Sequence, residues 1–302
     1  MKRSILLFIV AAMLTPALHA ADKGGLRYTV AVSKFDNKAG WSAQWDIGDA
    51  WASVLTDALN QTDRFIVLGE SDMRQASMDE QDLAASGRTA GGKKAPETGQ
   101  MTPAQILIKG AITHVQENTS GGGAGISIRG IRVGGRGGQA EINTTIYMVD
   151  STTGQVLASD SVTGAAGSRG FRIGYCCRNF SGDVDAFKND NVGKAVMASV
   201  EEAVDWMINQ LDEVKWTATV VMNRDGRVYI NRGEREGVQT GQEFIVGEAD
   251  VIRDPDTGEV LDEIMEEVAR IRISEVREKL SIGSIVSGDS SAVDRGMSVH
   301  VP

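Results

Sequence analysis

Apolar positions along the chain recur with two periods, and the points where one gives way to the other mark out its elements. Residues 28–35 (YTVAVSKF) read as a strand. A polar stretch follows, and then Ile47, Trp51, Val54, Leu55, Ala58 and Leu59 recur at helical spacing on one face. Residues 65–68 read as a short buried strand, and Ser71 opens a more polar helix through Met73, Met78 and Leu83. Periodicity is lost over residues 85–100, whose Gly, Lys and Pro indicate an exposed loop. Thr102-Pro103 has the form of a short helical turn, with Thr as cap and Pro at the first position, and leads into a strand at residues 106–115. Further on, Val192, Val196, Val200, Ala203, Val204, Met207, Ile208 and Leu211 form the clearest helical stripe. Strands and helices alternating in this order predict a mixed sheet with helices packed on it.

Between these elements lies a segment of different character. Nine of the eighteen residues 121–138 are Gly, three are Arg (Arg129, Arg132, Arg136) and none is acidic. Apolar residues alternate with polar ones at Ile126, Ile128, Ile131 and Val133, which is a strand pattern. A turn at residues 134–137 would return the chain over residues 138–148. There Ala140, Ile142, Thr144, Ile146 and Met148 share one face, and Gln139, Glu141, Asn143, Thr145 and Tyr147 the other. Each arm has 11 residues, and a tilted strand crosses a bilayer in about 9–11. A fainter copy lies at Phe171, Arg172, Ile173 and Tyr175, with a return over residues 179–187.

Two readings fit these hairpins, at residues 119–150 and 160–190. Glycine-rich hairpins in soluble proteins are commonly surface loops. A solvated loop, however, has no reason to flank Arg with β-branched apolar residues, whereas a strand with lipid on one side does. On the membrane reading, Ile128 and Ile131 meet acyl chains while Arg129 and Arg132 line a watery lumen.

After residue 215 the pattern changes again. Short strands at residues 217–222, 227–230, 243–246 and 269–273 are punctuated by turns at Asp225-Gly226, Gly237, Gly241 and residues 256–258. This spacing predicts a small β-barrel of its own, with the boundary near residues 213–215. The expected fold class is therefore α+β: a mixed sheet flanked by helices, with inserted β-hairpins and a small C-terminal β-barrel domain. The expected units are residues 1–20, 21–213 and 214–302.

Composition adds the compartment. Lys2 and Arg3, an apolar core from Ile5 to Leu14, Pro16 and a small residue at Ala20 form a secretory signal peptide. No later run approaches the roughly 20 apolar residues of a spanning helix. No Cys follows the cleavage site, so no bacterial lipoprotein anchor is expected. The formal net charge of −10, more negative once the leader is removed, argues against nucleic acid as a partner. Cys176 and Cys177 are adjacent and cannot staple distant parts of the fold.

Motifs that suggest chemistry fail on context. Gly135-Arg-Gly137-Gly-Gln-Ala140 fits the dinucleotide fingerprint in spacing, but a strand pattern follows it where a helix is needed. Asp254-Pro-Asp256-Thr-Gly258 has its Gly one position early for a calcium loop and reads as a hairpin turn. Beyond the leader only His114 and His300 remain for acid–base chemistry. No enzyme, cofactor or metal site is expected.

Taken in order, YTVAVSKFDNKAG, DRFIVLGE, ILIKGAITHV, GGGAGISIRGI, INTTIYMVDSTTGQVLAS and FRIGY resemble the curli secretion channel family (CsgG/HfaB-like) over about residues 26–211. The resemblance implies an outer-membrane ring of about nine copies, each giving two hairpins to one barrel of about 36 strands. It implies as partners the chain itself, a secreted unfolded polypeptide, periplasmic accessory proteins and outer-membrane lipid. It also implies a pore constriction in the loop after the first strand, here Asp36, Asn37, Lys38, Trp41 and Gln44. The chain departs from the family in lacking the lipid-bearing Cys and in a shorter loop with Trp41 in place of a Tyr/Phe pair. Residues 215–302, with VYINRGEREGVQTGQEFIV, resemble the small C-terminal barrel of flagellar assembly accessory proteins. That likeness opens a second reading, a soluble periplasmic accessory docking on a flagellar or cell-envelope assembly machine.

Overall fold

The computed structural model describes residues 25–43, 45–92, 95–118, 139–166, 184–258 and 260–302. The first unit comprises β1 (Tyr28–Val32), β2 (Asp36–Asn37), α1 (Ile47–Gln61), β3 (Phe65–Val67), α2 (Ser71–Ala85), β4 (Ile106–Asn118), β5 (Gln139–Asp150), β6 (Val156–Ala165), α3 (Val184–Asn189) and α4 (Asn191–Gln210). Its strands lie in the order β3-β1-β4-β5-β6, with β2 added along β4 beyond β1. β1 is parallel to β3 and β4, and β4, β5 and β6 are antiparallel. The sheet is mixed, as the alternation of elements predicts.

Helices α1 and α4 cover one face. Their apolar stripes, which include Trp51, Leu55, Leu59, Val196 and Val200, bury the inward residues of β1, β4 and β5. Each starts on an Asp cap: Asp46 accepts from the Asp49 amide at 2.9 Å, and Asp190 from the Val192 amide at 3.4 Å. The Trp51 indole N–H donates to the Ser199 hydroxyl at 2.8 Å, tying the helices together inside the core. Gly110 of β4 lies under the ring of Phe35, where any side chain would collide with that ring and with the Thr145 carbonyl oxygen. Phe35 in turn packs against Trp51, with the rings tilted and their centroids 4.1 Å apart. By contrast α2 stands away from the core, with Met73, Met78 and Leu83 exposed.

Three sequence expectations are corrected. Residues 102–103 form no helical turn; this stretch has no regular secondary structure, and the Gln105 amide that follows it donates to the Thr29 hydroxyl at 3.0 Å. Residues 139–148 are not a membrane arm: they belong to β5, paired on both sides. Ile142, Thr144 and Ile146 are completely buried there, and α4 packs on their strand. The end of the supposed second return is helical, since α3 begins at Val184 and Phe187 is buried.

The second unit is a closed barrel of β7 (Thr217–Arg224), β8 (Arg227–Ile230), β9 (Glu243–Arg253), β10 (Val260–Val276), β11 (Ser281–Gly288) and β12 (Ser298–His300). Its order is β10-β11-β8-β7-β12-β9. Trp216 stacks on Phe244 at 5.1 Å in its core. The turn after Asp254 is a plain hairpin connection, with the Asp254 carboxylate accepting from the Asp256 and Thr257 amides at 2.7 and 3.0 Å. A tight joint ties the barrel to the first unit. The Arg27 amide donates to the Glu236 carbonyl at 2.9 Å, and the Tyr28 hydroxyl to the Val214 carbonyl at 3.0 Å. Gly237, at φ 78°, packs directly on the Gly25 carbonyl, which neither the conformation nor the space would allow to a side chain.

Candidate functional site

The sheet gathers the candidate segments at one end. Register along β4 and β5 runs to the pair Asn118↔Gln139, so residues 119–138 leave and rejoin the sheet at one point. β6 pairs Ala165 with Glu141 and ends at that same edge, so residues 167–183 also start there. β2 pairs Asp36 with Ala111 and Asn37 with Ile112. The loop after β1 is thereby directed toward the end of β4. Meanwhile β1 begins, and α4 ends, at the opposite pole, where the barrel is joined.

Ile126, Ile128, Arg129, Ile131, Arg132, Val133, Phe171, Arg172, Ile173 and Tyr175 lie outside the described residues, as do Gln44 and the leader. Among the described residues no helix is long and apolar enough to cross a membrane, which leaves strands untouched as a means of crossing.

The loop itself is held at both flanks. The Lys38 and Ala39 amides donate to the Ile112 carbonyl at 2.9 and 3.0 Å. The Asn37 side-chain amide donates to the Trp41 carbonyl at 2.6 Å, while Asp36, Asn37, Lys38 and Gly40 are exposed. Trp41 is folded back and half-buried. Its indole N–H donates to the Glu117 carboxylate at the end of β4, and its ring tilts on Trp45 at 4.6 Å. Trp45 meets Phe187 of α3 edge-on at 5.0 Å. Thus Glu117, Trp45 and Phe187 join the loop to both segment roots, a role that pattern reading missed because Glu117 and Phe187 are remote from the loop in sequence.

Charge is arranged around the loop's far flank. Lys34 bridges Asp49 at 2.9 Å and Asp46 at 3.4 Å. The Asp49 hydrogen bond, the largest influence, raises the Lys34 ammonium above its ordinary value. Burial, the largest influence on Asp46, pushes its carboxyl up, but the Asp49 and Gly48 amides and Lys34 together outweigh it and leave Asp46 below the usual range.

The family described as "Curli production assembly/transport component CsgG" matches residues 15–242. The chain belongs to the CsgG family. Its CsgG match thus takes in the whole sheet, both segment roots and the first part of the barrel. "Flagellar assembly protein T, C-terminal domain" matches residues 225–293, within the barrel. No curated protein matches the chain. Solved structures similar to parts of it include hypothetical protein CT253 from Chlamydia trachomatis, 13% identical over 61% of this chain and 98% of that one, TM-score 0.36. The PelC dodecamer from Paraburkholderia phytofirmans is 12% identical over 60% and 91%, TM-score 0.32. The LpoB C-terminal domain from Salmonella enterica is 15% identical over 47% and 86%, TM-score 0.26.

Proposed function

We propose that this CsgG-family chain is one subunit of a ring-forming outer-membrane secretion channel that passes unfolded polypeptide. The observation that carries the reading is the shared pole: the roots of both glycine- and Arg-bearing segments and the candidate constriction loop leave the sheet at one end, with the barrel at the other. Segments 119–138 and 167–183 then supply strands to a barrel shared among copies, whose closure satisfies every backbone group in lipid. The membrane-spanning lengths are shorter than the sequence pattern suggests, because β5 belongs to the soluble sheet.

In this ring the loop of Asp36, Asn37, Lys38, Trp41 and Gln44 narrows the path. Polar groups repeated around the axis suit an extended chain in transit. Trp41 acts as the loop's latch on Glu117 and Trp45, leaving Asp36, Asn37 and Lys38 as the groups that meet the passenger. No bond is made or broken, and no cofactor is required. Fractionation of the full-length chain tests the reading. Recovery in the outer membrane with heat-modifiable migration is expected; recovery only as a soluble monomer would refute it.

The match of the barrel to a flagellar assembly protein favours a second reading, a soluble accessory of an envelope assembly machine. That protein would stay in the soluble fraction with residues 119–138 open to protease.

A further inference from the structure

Strand β4, which leads to the first segment root, changes face once along its length, and the change aims a side chain at the loop. Up to Ile112 its even-numbered residues turn toward the helices, and Ile106, Ile108 and Ile112 are completely buried there. A bulge follows. Ile112 pairs with Thr144 and His114 with Asn143, which are neighbours on β5, so Thr113 has no partner of its own in the register. The extra residue turns every later side chain of β4 to the opposite face. Beyond it Val115 pairs with Ile142 and Glu117 with Ala140, both buried on the helix side, while Gln116 pairs with Glu141 on the far side. In an unbroken strand Gln116 would face the helices and Glu117 would point away from Trp41.

The same bulge seats the loop. The Ile112 carbonyl, at its start, accepts from both the Lys38 and Ala39 amides at 2.9 and 3.0 Å. From that anchor the chain runs to Trp41, whose carbonyl accepts from the Asn37 side-chain amide at 2.6 Å and whose indole N–H donates to the Glu117 carboxylate. Trp41, Trp45 and Val115 are half-buried against the same core. Ring contact with Trp45 is apolar and carries little direction, whereas the hydrogen bond fixes which way the indole turns. An indole N–H can only donate, so its orientation follows the acceptor. A carboxylate acceptor makes the bond charge-assisted and therefore one of the stronger kind.

We propose that Glu117 is the positioning residue of the constriction: through the Trp41 indole it pins the loop to the end of β4, so that the aperture is set by the strand from which residues 119–138 depart. Asp36, Asn37 and Lys38 then present their polar groups from a loop anchored at two points, Ile112 and Glu117. The opening keeps one width while a chain passes. A loop released from Glu117 yields to what moves past it, and the path widens. This inference rests on the channel reading above and adds what holds the width of the path.

The test uses the full-length chain, recorded in planar bilayers and followed by hydrogen exchange over residues 36–42. Glu117→Ala should raise the single-channel conductance as Trp41→Ala does, and the double variant should add nothing to Trp41→Ala, since both changes remove one contact. Glu117→Gln keeps a side-chain oxygen that accepts from the indole and should conduct as the wild type. Gln116→Glu combined with Glu117→Ala keeps the charge but moves it to the far face of the sheet, and should conduct as Glu117→Ala alone. Exchange of the loop should quicken roughly tenfold in Glu117→Ala, as loss of one charge-assisted hydrogen bond implies, and keep the wild-type rate in Glu117→Gln. An intact ring whose conductance or loop exchange is unchanged in Glu117→Ala, or whose conductance falls, would overturn the proposal and leave the channel standing. So would a Glu117→Gln variant that behaves as Glu117→Ala, or rescue by Gln116→Glu, because either assigns the effect to charge near the path. A wild-type ring that never conducts removes the channel and the proposal with it.

Discussion

At Gly164 the backbone of β6 lies directly against α4, and replacing it by Ala measures how firmly helix and sheet are set. An added Cβ would stand 2.8 Å from the Ser199 Cβ and nearer still to the Ala195 carbonyl oxygen and the Ser199 amide. Ordinary contact begins near 3.5 Å, and the obstacle is helix backbone, which no rotamer change can move aside. The helix must retreat by about an ångström, and overpacking of this kind costs about 1–3 kcal/mol. The upper end is expected, because α4 also packs on α1 through the Trp51–Ser199 hydrogen bond. Gly154→Ala is the control. Gly154 has φ 74° with nothing within 4 Å of a Cβ, so it carries only the left-handed backbone cost of about 1 kcal/mol. Urea unfolding of the full-length chain, followed by tryptophan fluorescence, compares the two. A Gly164→Ala penalty no larger than that of Gly154→Ala would refute the close approach of α4 to β6.

Three further outcomes are expected. Asp46→Ala removes the α1 cap and should cost about 1 kcal/mol at neutral pH. Because Asp46 is depressed in the folded state, its contribution is present above the unfolded carboxyl pKa and lost as pH falls through the folded one. Urea midpoints of wild type and variant should converge over that acid range, and a gap that persists would contradict the assignment. Trp41→Ala frees the loop from Glu117 and Trp45 and should raise single-channel conductance and admit larger solutes; an unchanged conductance from an intact ring would remove the loop from the pore. Ile128→Asp should weaken membrane insertion by a few kcal/mol if residue 128 lies at mid-bilayer depth, and normal recovery in the membrane would show that it does not.

Much of the first unit is legible in the sequence because its helices carry single apolar stripes. The spacing Ile47, Trp51, Leu55 and the run from Val192 to Met207 have one packing solution each. Alternation is less informative. At Ile142, Thr144 and Ile146 it reports correctly that one face is dry, but lipid and a packed helix leave the same trace, and α4 lies some fifty residues downstream. The constriction loop shows the same limit. Polar residues between two apolar elements predict a loop, yet the position of Trp41 depends on Glu117 and Trp45, and Phe187 reaches the cluster only through the fold. In the barrel, β11 is rich in Ser and Gly and β12 is only three residues long, and so both escape a search for apolar alternation. The outer halves of β9 and β10 escape for the opposite reason: Val251-Ile252 and Val260-Leu261 place apolar residues side by side, and all four are exposed.

The central claim, that strands rooted at one pole of the sheet form a shared conducting barrel, is tested most directly by planar-bilayer recording of the purified full-length protein. A parallel sample carries a short Gly/Ser linker in place of residues 121–136. The account predicts discrete, stable conductance steps for the intact chain and none for the shortened one, with both folded by circular dichroism. Steps that survive the replacement, or an intact chain that never conducts, would contradict it.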